Sequence, residues 1–174
     1  MIRLLHPVPT LDATALTLEG SAYHYLTRVL RLRVDDGFEL FDGHGSAWDA
    51  RVVAIDAVAA TASVSLGPVR TLPPAPALTL LQGLPKGDKL ELVLQKATEL
   101  GATCVWPVQC KRSVVQLSGD RAQKRAERWR KIVEEASRQC RRADVPEVHE
   151  PVSLVQAAAA LPEGTRVLVL DEEE

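Results

Sequence analysis

The stretch of residues 84–115, LPKGDKLELVLQKATELGATCVWPVQCKRSVV, decides the fold that the sequence predicts. Apolar residues recur at helical spacing in its first half and predict a helix with one buried face: Leu90, Val93, Leu94, Ala97 and Leu100. Gly101 follows where a helix end favours a left-handed residue. Residues 103–106 then predict a short buried strand, which Pro107 is expected to end.

Positive charge gathers around this predicted helix and strand. Three lysines lie off the apolar face of the helix: Lys86, Lys89 and Lys96. Lys111 and Arg112 directly follow the strand. A βαβ unit that collects cations near its strand ends is suited to holding a phosphate backbone.

The charge along the chain is uneven, although the net charge is only −2. Residues 111–142 contain 11 basic and 4 acidic residues, whereas residues 143–174 contain 8 acidic residues and 1 basic residue. This asymmetry favours an anionic partner for the basic segment. A well-solvated helix surface would produce the same pattern, so both interpretations stay open on charge alone.

Composition excludes several classes of protein. With 174 residues the chain can form one domain or two small ones. No apolar run has the length of a membrane span, and the N-terminus lacks a signal pattern, so we expect a cytoplasmic protein with no membrane partner. The 3 cysteines form no CxxC pair and the 4 histidines are scattered, so we expect neither a disulfide framework nor a metal site.

Residues 1–67 read as a small β-rich unit. We expect a helix that begins near Gly20 and Ser21, and strands at residues 2–5, 38–41, 47–55 and 61–66. The last of these strands alternates cleanly between apolar and polar residues. Such short strands predict a small barrel or sandwich. The Gly-His-Gly turn at residues 43–45 is a poor phosphate loop, because no helix with a lysine follows it.

Residues 68–76, PVRTLPPAP, predict an extended connector between two units. Beyond it strands alternate with helices, which predicts a parallel sheet covered by helices. The expected strands are residues 77–82, 103–106 and 166–170, and the expected helices are residues 87–100, 120–142 and 153–161. The predicted domains are therefore residues 1–67 and 77–174.

The longest predicted helix carries a narrow apolar seam: Ala122, Ala126, Trp129, Val133, Ala136 and Cys140. Such a seam packs on a sheet or a neighbouring helix. Most of the surrounding arginines and lysines are expected to be solvated. Arg141 and Arg142 differ, because they sit where the helix ends and a loop begins.

No signature of nucleophilic or zinc-dependent catalysis occurs, and no GxGxxG follows a strand to support a nucleotide-binding Rossmann fold. Lys96 and Glu99 lie three residues apart on one helix, which also fits a surface ion pair. The residues by themselves indicate an RNA- or phosphate-binding α/β protein with an added β module.

Three ordered motifs together resemble one family. They are HYLTRVLRLRVDDGFELFDGHG at residues 24–45, PKGDKLELVLQKATELGATCVWPVQCKRSVV at residues 85–115, and RWRKIVEEASRQCRRADVPEV at residues 128–148. In these motifs the chain resembles the small-subunit ribosomal RNA uridine-N3 methyltransferases of the SPOUT superfamily.

The resemblance implies an α+β protein with two domains. A PUA-like β-barrel that grips RNA would be followed by an α/β SPOUT methyltransferase domain with a C-terminal trefoil knot. It also implies S-adenosylmethionine as methyl donor, N3 of a uridine in small-subunit ribosomal RNA as acceptor, and a homodimer.

The resemblance also implies site residues at matching positions. RNA contacts are expected from Arg28, Arg31, Lys86, Lys96, Arg112 and Arg142. The catalytic candidates are Arg112, Gln139 and Arg142, whereas Glu99 is expected to be structural. Leu170 and Asp171 would lie at the edge of the donor pocket.

The sequence departs from the family pattern at its end. Family members continue into a glycine-rich GPEGG-type loop and an LRTETA-type segment, neither of which occurs here. The resemblance therefore predicts a chain that is incomplete before the knot, exposes a strand edge at residues 167–170, and neither binds S-adenosylmethionine nor methylates RNA.

Two classes of function follow from the sequence. The first is the ribosomal RNA methyltransferase that the motifs imply. The second is a non-catalytic RNA-binding or ribosome-assembly protein, which the missing loops favour for the chain as written. The reading frame beyond Glu174 would distinguish them.

Overall fold

The computed structural model describes residues 2–73, 76–111 and 117–170, whose strands form two sheets. The first sheet contains β1 (Arg3–Leu5), β2 (Ala15–Leu18), β3 (Gly37–Phe41), β4 (Ser46–Asp56), β5 (Thr61–Leu66) and β6 (Arg70–Thr71). The second sheet contains β7 (Thr79–Gly83), β8 (Cys104–Gln109), β9 (Glu147–Val148) and β10 (Val152–Ser153). The helices are α1 (Gly20–His24), α2 (Lys89–Glu99), α3 (Gly119–Cys140) and α4 (Leu154–Ala159), and a π-helical turn spans Tyr25–Val29.

The first sheet is mixed, with strand order β1–β3–β4–β5–β2 and β6 paired to β4. Only the pairing of β1 with β3 is parallel. The alternation predicted for β5 is confirmed, because Ala62, Val64 and Leu66 are buried on one face. These side chains pack with Trp48 of β4, which is also buried, so the unit has its own apolar core.

The helical segment between β2 and β3 has two parts. The sequence predicts one helix from residue 20, but α1 gives way at Tyr25 to the π-helical turn. The Thr27 hydroxyl donates to the Tyr23 carbonyl over 2.8 Å inside this segment. Leu26 is fully buried in the core of the first sheet, which anchors the turn that carries Arg28.

The second sheet is parallel throughout, as the alternation of strands and helices predicts. The strand β8 is central, with β7 on one side and β9 and β10 on the other. The seam of α3 is buried at its first five positions, and Trp129 and Val133 pack with Leu94 of α2 and Val105 of β8. Helices α2 and α3 therefore cover one face of this sheet.

Pro107 lies inside β8, so the prediction that it ends the strand is wrong. On one side β8 pairs continuously with β7. On the other side β9 pairs with residues 104 and 105, and β10 pairs with residues 108 and 109. Pro107 falls between these two short strands. Neither strand pairs with position 107, so the amide hydrogen that proline lacks costs the sheet no hydrogen bond there.

Two further predictions in this half are wrong. Leu100 is 82% exposed, because it lies about 120° around the helix from the buried Leu94. Thr98 is the buried residue in the last turn of α2. Residues 166–170 form no strand, and Val167 and Leu170 are 62% and 98% exposed. A strand needs a hydrogen-bonded neighbour, and no described residue pairs with this segment.

Within the described ranges, no helix combines the length and the apolar character that crossing a membrane requires.

Arg141 ends α3 in a left-handed conformation, with φ 65° and ψ 24°. Glycine is favoured at such a position, because a side chain strains the backbone there. We expect Arg141→Gly to raise the free energy of unfolding by about 0.5–1 kcal/mol, measured by urea denaturation.

The matched control for this substitution is Lys131→Gly, at an exposed position inside α3. There glycine should lower stability by about 1 kcal/mol. A loss of stability in both variants would contradict the assignment of strain to Arg141.

Candidate nucleic-acid interface

The two sheets meet at the Gly-His-Gly turn of the first unit. Gly43 and His44 form bridges with Asp144, and the amide of Val145 donates to the Gly43 carbonyl over 2.9 Å. Gly43 has φ 82°, and a Cβ atom there would lie 3.1 Å from Cδ1 of Leu5. The left-handed φ favours glycine, and a Cβ atom would also press on Val145 of the loop that follows α3, 3.4 Å away.

Arg3 of β1 joins the first sheet to the end of α3. Its side chain is 4% exposed, and its Nη1 donates to the carbonyls of Ser137 over 2.9 Å and of Arg138 over 3.3 Å. Its Nε donates to the carboxylate of Glu39, and its guanidinium lies 4.3 Å from the centre of the Phe41 ring. The last-turn carbonyls of a helix lack helical partners, so a cation stabilises them well.

Arg142 holds the loop after α3 against the end of α2. Its Nη1 donates to the carbonyls of Thr98 and Ala102, each over 2.8 Å. Its Nε and Nη2 donate to the two carboxylate oxygens of Asp144 over 3.0 and 2.6 Å. The side chain is only 13% exposed, so the guanidinium is committed to internal partners.

The hydrogen bond from Arg142, together with its charge, lowers the pKa of the Asp144 carboxyl, although partial burial opposes the shift. The backbone of Asp144 also forms the bridges to Gly43 and His44. Arg142 and Asp144 therefore link the end of α2 to the first sheet through one bidentate ion pair.

Gln139 lies at a crevice between α3 and the helical segment of the first unit. The crevice has a volume of about 270 Å³ and is lined by Ile2, Arg3, Tyr25, Leu30, Glu135, Arg138, Gln139 and Arg141. The amide of Gln139 donates to Glu135 over 3.1 Å, and the guanidinium of Arg138 lies 5.0 Å from the centre of the Tyr25 ring. The fold thus brings Gln139 close to the segment that carries Arg28 and Arg31.

Arg28 and Arg31 are exposed, and neither forms an ion pair with any described residue. Arg31 follows the π-helical turn with φ 56°, in the left-handed region. An exposed guanidinium that has no carboxylate partner keeps its full charge for an external anion. These two arginines are predicted RNA contacts that have no competing carboxylate partner among the described residues.

The two lysines predicted to contact RNA lie apart from each other. Lys86 precedes the start of α2 and is exposed, whereas Lys96 is in its last turn. The ammonium of Lys96 lies 2.8 Å from the carboxylate of Glu99, which lowers the pKa of Glu99. The helix rises about 10 Å between its first residue, Lys89, and Lys96, so Lys86 and Lys96 do not form one cluster.

The structure describes only one of the three remaining predicted site residues. Arg112 and Asp171 lie outside the described residues. Leu170 is 98% exposed within the described part of the chain.

Sequence reasoning missed Arg3 and Asp144 as parts of this interface. Arg3 lies in a strand of three residues, and nothing local indicates that its partners are the carbonyls of residues 137 and 138. The Arg-x-Asp spacing of Arg142 and Asp144 is a signal that was available, because residues two apart in a turn can pair.

Comparison with protein families gives two matches. A family model described as RNA methyltransferase domain matches residues 73–174, and one described as RNA methyltransferase PUA domain matches residues 18–64. The first covers the second sheet with its helices, and the second lies within the first sheet.

Similar curated proteins carry one name. Ribosomal RNA small subunit methyltransferase E of Bacillus subtilis is 34% identical over 164 residues, which are 93% of this chain and 63% of that protein. The protein of that name from Synechocystis is 36% identical over 150 residues, which are 86% of this chain and 47% of that protein. The chain thus spans about half to two thirds of the length of these curated relatives.

Solved structures agree with the sequence matches. Ribosomal RNA small subunit methyltransferase E from Neisseria gonorrhoeae, bound to S-adenosyl methionine, is 32% identical with a TM-score of 0.81, over 94% of this chain and 67% of that one. A putative methyltransferase from Legionella pneumophila, in complex with the same cofactor, is 27% identical with a TM-score of 0.81, over 95% of this chain and 69% of that one. The chain therefore belongs to the RNA methyltransferase family, with a PUA domain in its N-terminal part and an α/β domain after it.

Proposed function

We propose that this protein takes part in S-adenosylmethionine-dependent methylation of small-subunit ribosomal RNA, with N3 of a uridine as acceptor. The observation that carries the proposal is the match to the RNA methyltransferase domain over residues 73–174, beside a PUA domain that presents Arg28 and Arg31 to solvent. The names of the relatives supply the class of RNA and the donor.

The acceptor side of the reaction sets a chemical demand. Uridine N3 holds its proton at neutral pH, so methylation needs that proton removed or the developing anion stabilised. Arg142 is bound to Thr98, Ala102 and Asp144, so we assign it a positioning role rather than direct contact with RNA. Gln139 is exposed at the crevice and can reach an RNA group, and Arg112 stays a proposed contact.

The donor would supply an activated methyl group. The donor-edge role of Leu170 and Asp171 stays a proposal, and the exposure of Leu170 gives it no support in the described part of the chain. We therefore assign no step to these two residues.

The organisation of the protein is part of the proposal. We propose two units, residues 1–67 and 77–174, with residues 68–76 as an extended connector whose Arg70–Thr71 pair with β4 of the first sheet, and an α/β domain of the SPOUT trefoil-knot type. The family resemblance further supports a cytoplasmic homodimer as the acting form.

Deleting the gene for this chain tests the proposed reaction directly. Small-subunit ribosomal RNA from the deletion strain should lack N3-methyluridine at one position, measured by mass spectrometry of nuclease digests. The wild-type gene on a plasmid should restore the modification. Unchanged N3-methyluridine would overturn the proposal, and unchanged N3-methyluridine with slowed subunit assembly would indicate the non-catalytic assembly function.

RNA binding by the chain should depend on Arg31 more than on helix-face cations. We expect Arg31→Ala to weaken binding to small-subunit ribosomal RNA and to lower the slope of log affinity against log salt by about one. The cause is the loss of one phosphate contact, measured by fluorescence anisotropy over a salt series.

The control for this prediction is Arg128→Ala. The Nε of Arg128 lies 2.8 Å from the carboxylate of Glu91, so its charge is already partly neutralised. Equal losses of affinity in the two variants would show that the positive surface acts diffusely, and would reject Arg31 as a specific contact.

A further inference from the structure

The strands β8 and β9 place three metal-binding side chain types side by side. Cys104 pairs with Glu147 across the parallel ladder, and His149 follows Glu147 by two residues. The intervening residues, Val105 and Val148, are buried in the core under α2 and α3. Because side chains alternate along a strand, Cys104, Glu147 and His149 point away from that core.

The potential ligand atoms of these three residues converge. The Cys104 sulfur, a Glu147 carboxylate oxygen and a His149 ring nitrogen all lie within 4.8 Å of one another. His149 Nε2 and Glu147 Oε1 are 3.4 Å apart. Ligand atoms around a tetrahedral zinc ion are about 3.3–3.6 Å apart, given the usual zinc–sulfur, zinc–nitrogen and zinc–oxygen bond lengths. Small changes of side-chain torsion would therefore complete the arrangement.

A neighbouring aromatic side chain orients one of the three groups, His149. The Trp106 ring stacks on the His149 ring, with centroids 3.7 Å apart and planes at 17°. Outer partners that fix the orientation of a ligand are typical of metal sites.

The chemistry of the set selects the ion. Thiolate and imidazole prefer zinc and related transition metals over magnesium or calcium. Three protein ligands leave one coordination position for water, and the exposure of Glu147 leaves the site open to solvent.

We propose that Cys104, Glu147 and His149 form a binding site for one divalent transition-metal ion of the zinc class. Binding joins the metal to the sulfur, a carboxylate oxygen and a ring nitrogen, and releases the thiol proton to solvent. The site differs from the crevice at Gln139 and does not depend on the proposed methylation. The sequence predicts no metal site because it contains no CxxC motif and no pair of histidines at helical spacing. Those patterns do not detect ligands that come together through the pairing of distant strands.

Cobalt(II) titration of the reduced 174-residue chain tests the proposal. Cobalt bound by a thiolate gives a charge-transfer absorption in the near ultraviolet, which should saturate at one ion per chain and disappear when zinc is added. Cys104→Ser should abolish this band. His149→Gln and Glu147→Gln should each weaken cobalt affinity at least tenfold.

Cys140→Ser is the matched control, because Cys140 lies in α3 and is not part of the cluster. This variant should keep the band and the affinity of the parent chain. The proposal is overturned if the folded parent chain shows no thiolate band, or if Cys104→Ser keeps it. Glu147 is exposed, so Glu147→Gln should fold normally. Its cobalt affinity therefore decides the test even if Cys104→Ser or His149→Gln fails to fold.

Discussion

Replacing Arg142 with alanine should lower the free energy of unfolding by about 3 kcal/mol. The substitution leaves the carbonyls of Thr98 and Ala102 without their donor and the Asp144 carboxylate without its bidentate partner. Breaking a mostly buried pair by removing one partner typically costs about 3–5 kcal/mol. The side chain of Asp144 is 35% exposed, so the lower end of that range of energies applies.

The effect of Arg142→Ala should depend on pH. The pKa of Asp144 is lowered in the folded state, so its contribution is present above the unfolded pKa of about 3.8 and is lost as the pH falls toward the lowered folded value. The variant lacks this contribution at every pH. Urea unfolding curves of wild type and variant should therefore differ most near neutral pH and approach each other in acid.

Arg141→Ala is the control for charge and sequence position. Arg141 is exposed, and no hydrogen bond or ion pair joins its side chain to a described residue, so its removal should change stability by less than about 0.5 kcal/mol. If Arg142→Ala leaves stability unchanged but abolishes RNA binding, Arg142 contacts RNA directly and the positioning role is rejected.

Local patterns predicted much of the fold because burial determines them. The alternation in β5 and the seam of α3 each expose one apolar face, and a chain must cover such a face wherever it lies. Gly101 likewise follows α2 with φ 100°, as its position at a helix end predicts. In these cases one local physical requirement produces both the sequence pattern and the observed structure.

The errors occur where the structure depends on a distant partner. Pro107 is tolerated in β8 because β9 and β10 pair on either side of it, and no local pattern contains that fact. Residues 166–170 have the composition of a strand but no paired neighbour in the described chain. Propensity is a weak guide when pairing decides the outcome.

The candidate site was predictable by residue type more than by role. Motif resemblance selected Arg31 and Arg142 together, yet Arg31 is exposed and Arg142 is committed to internal carbonyls. Both are arginines near the ends of helical segments, so sequence alone gives them the same interpretation. Only the positions of Thr98, Ala102 and Asp144 show that Arg142 has internal partners.

The second large effect is expected for Arg3→Ala, which removes the main charged connection between the first sheet and α3. The variant loses hydrogen bonds to the carbonyls of Ser137 and Arg138 and the stacking of a cation on Phe41. Charged hydrogen bonds contribute about 1.5–3 kcal/mol each when buried, and their effects overlap here. We expect the free energy of unfolding to fall by about 2–4 kcal/mol.

Arg70→Ala is the control variant, because it removes a partner of Glu39 without removing the hydrogen bonds to the end of α3. Arg70 also pairs with Glu39, over 2.7 Å, but its side chain is 46% exposed, so its removal should cost less than about 1 kcal/mol. Urea denaturation of both variants gives the comparison. Equal losses would mean that Arg3 acts only through Glu39. A larger loss for Arg3→Ala, together with weaker RNA binding at a salt slope that stays the same, would show that Arg3 fixes the end of α3 against the PUA domain without touching RNA itself.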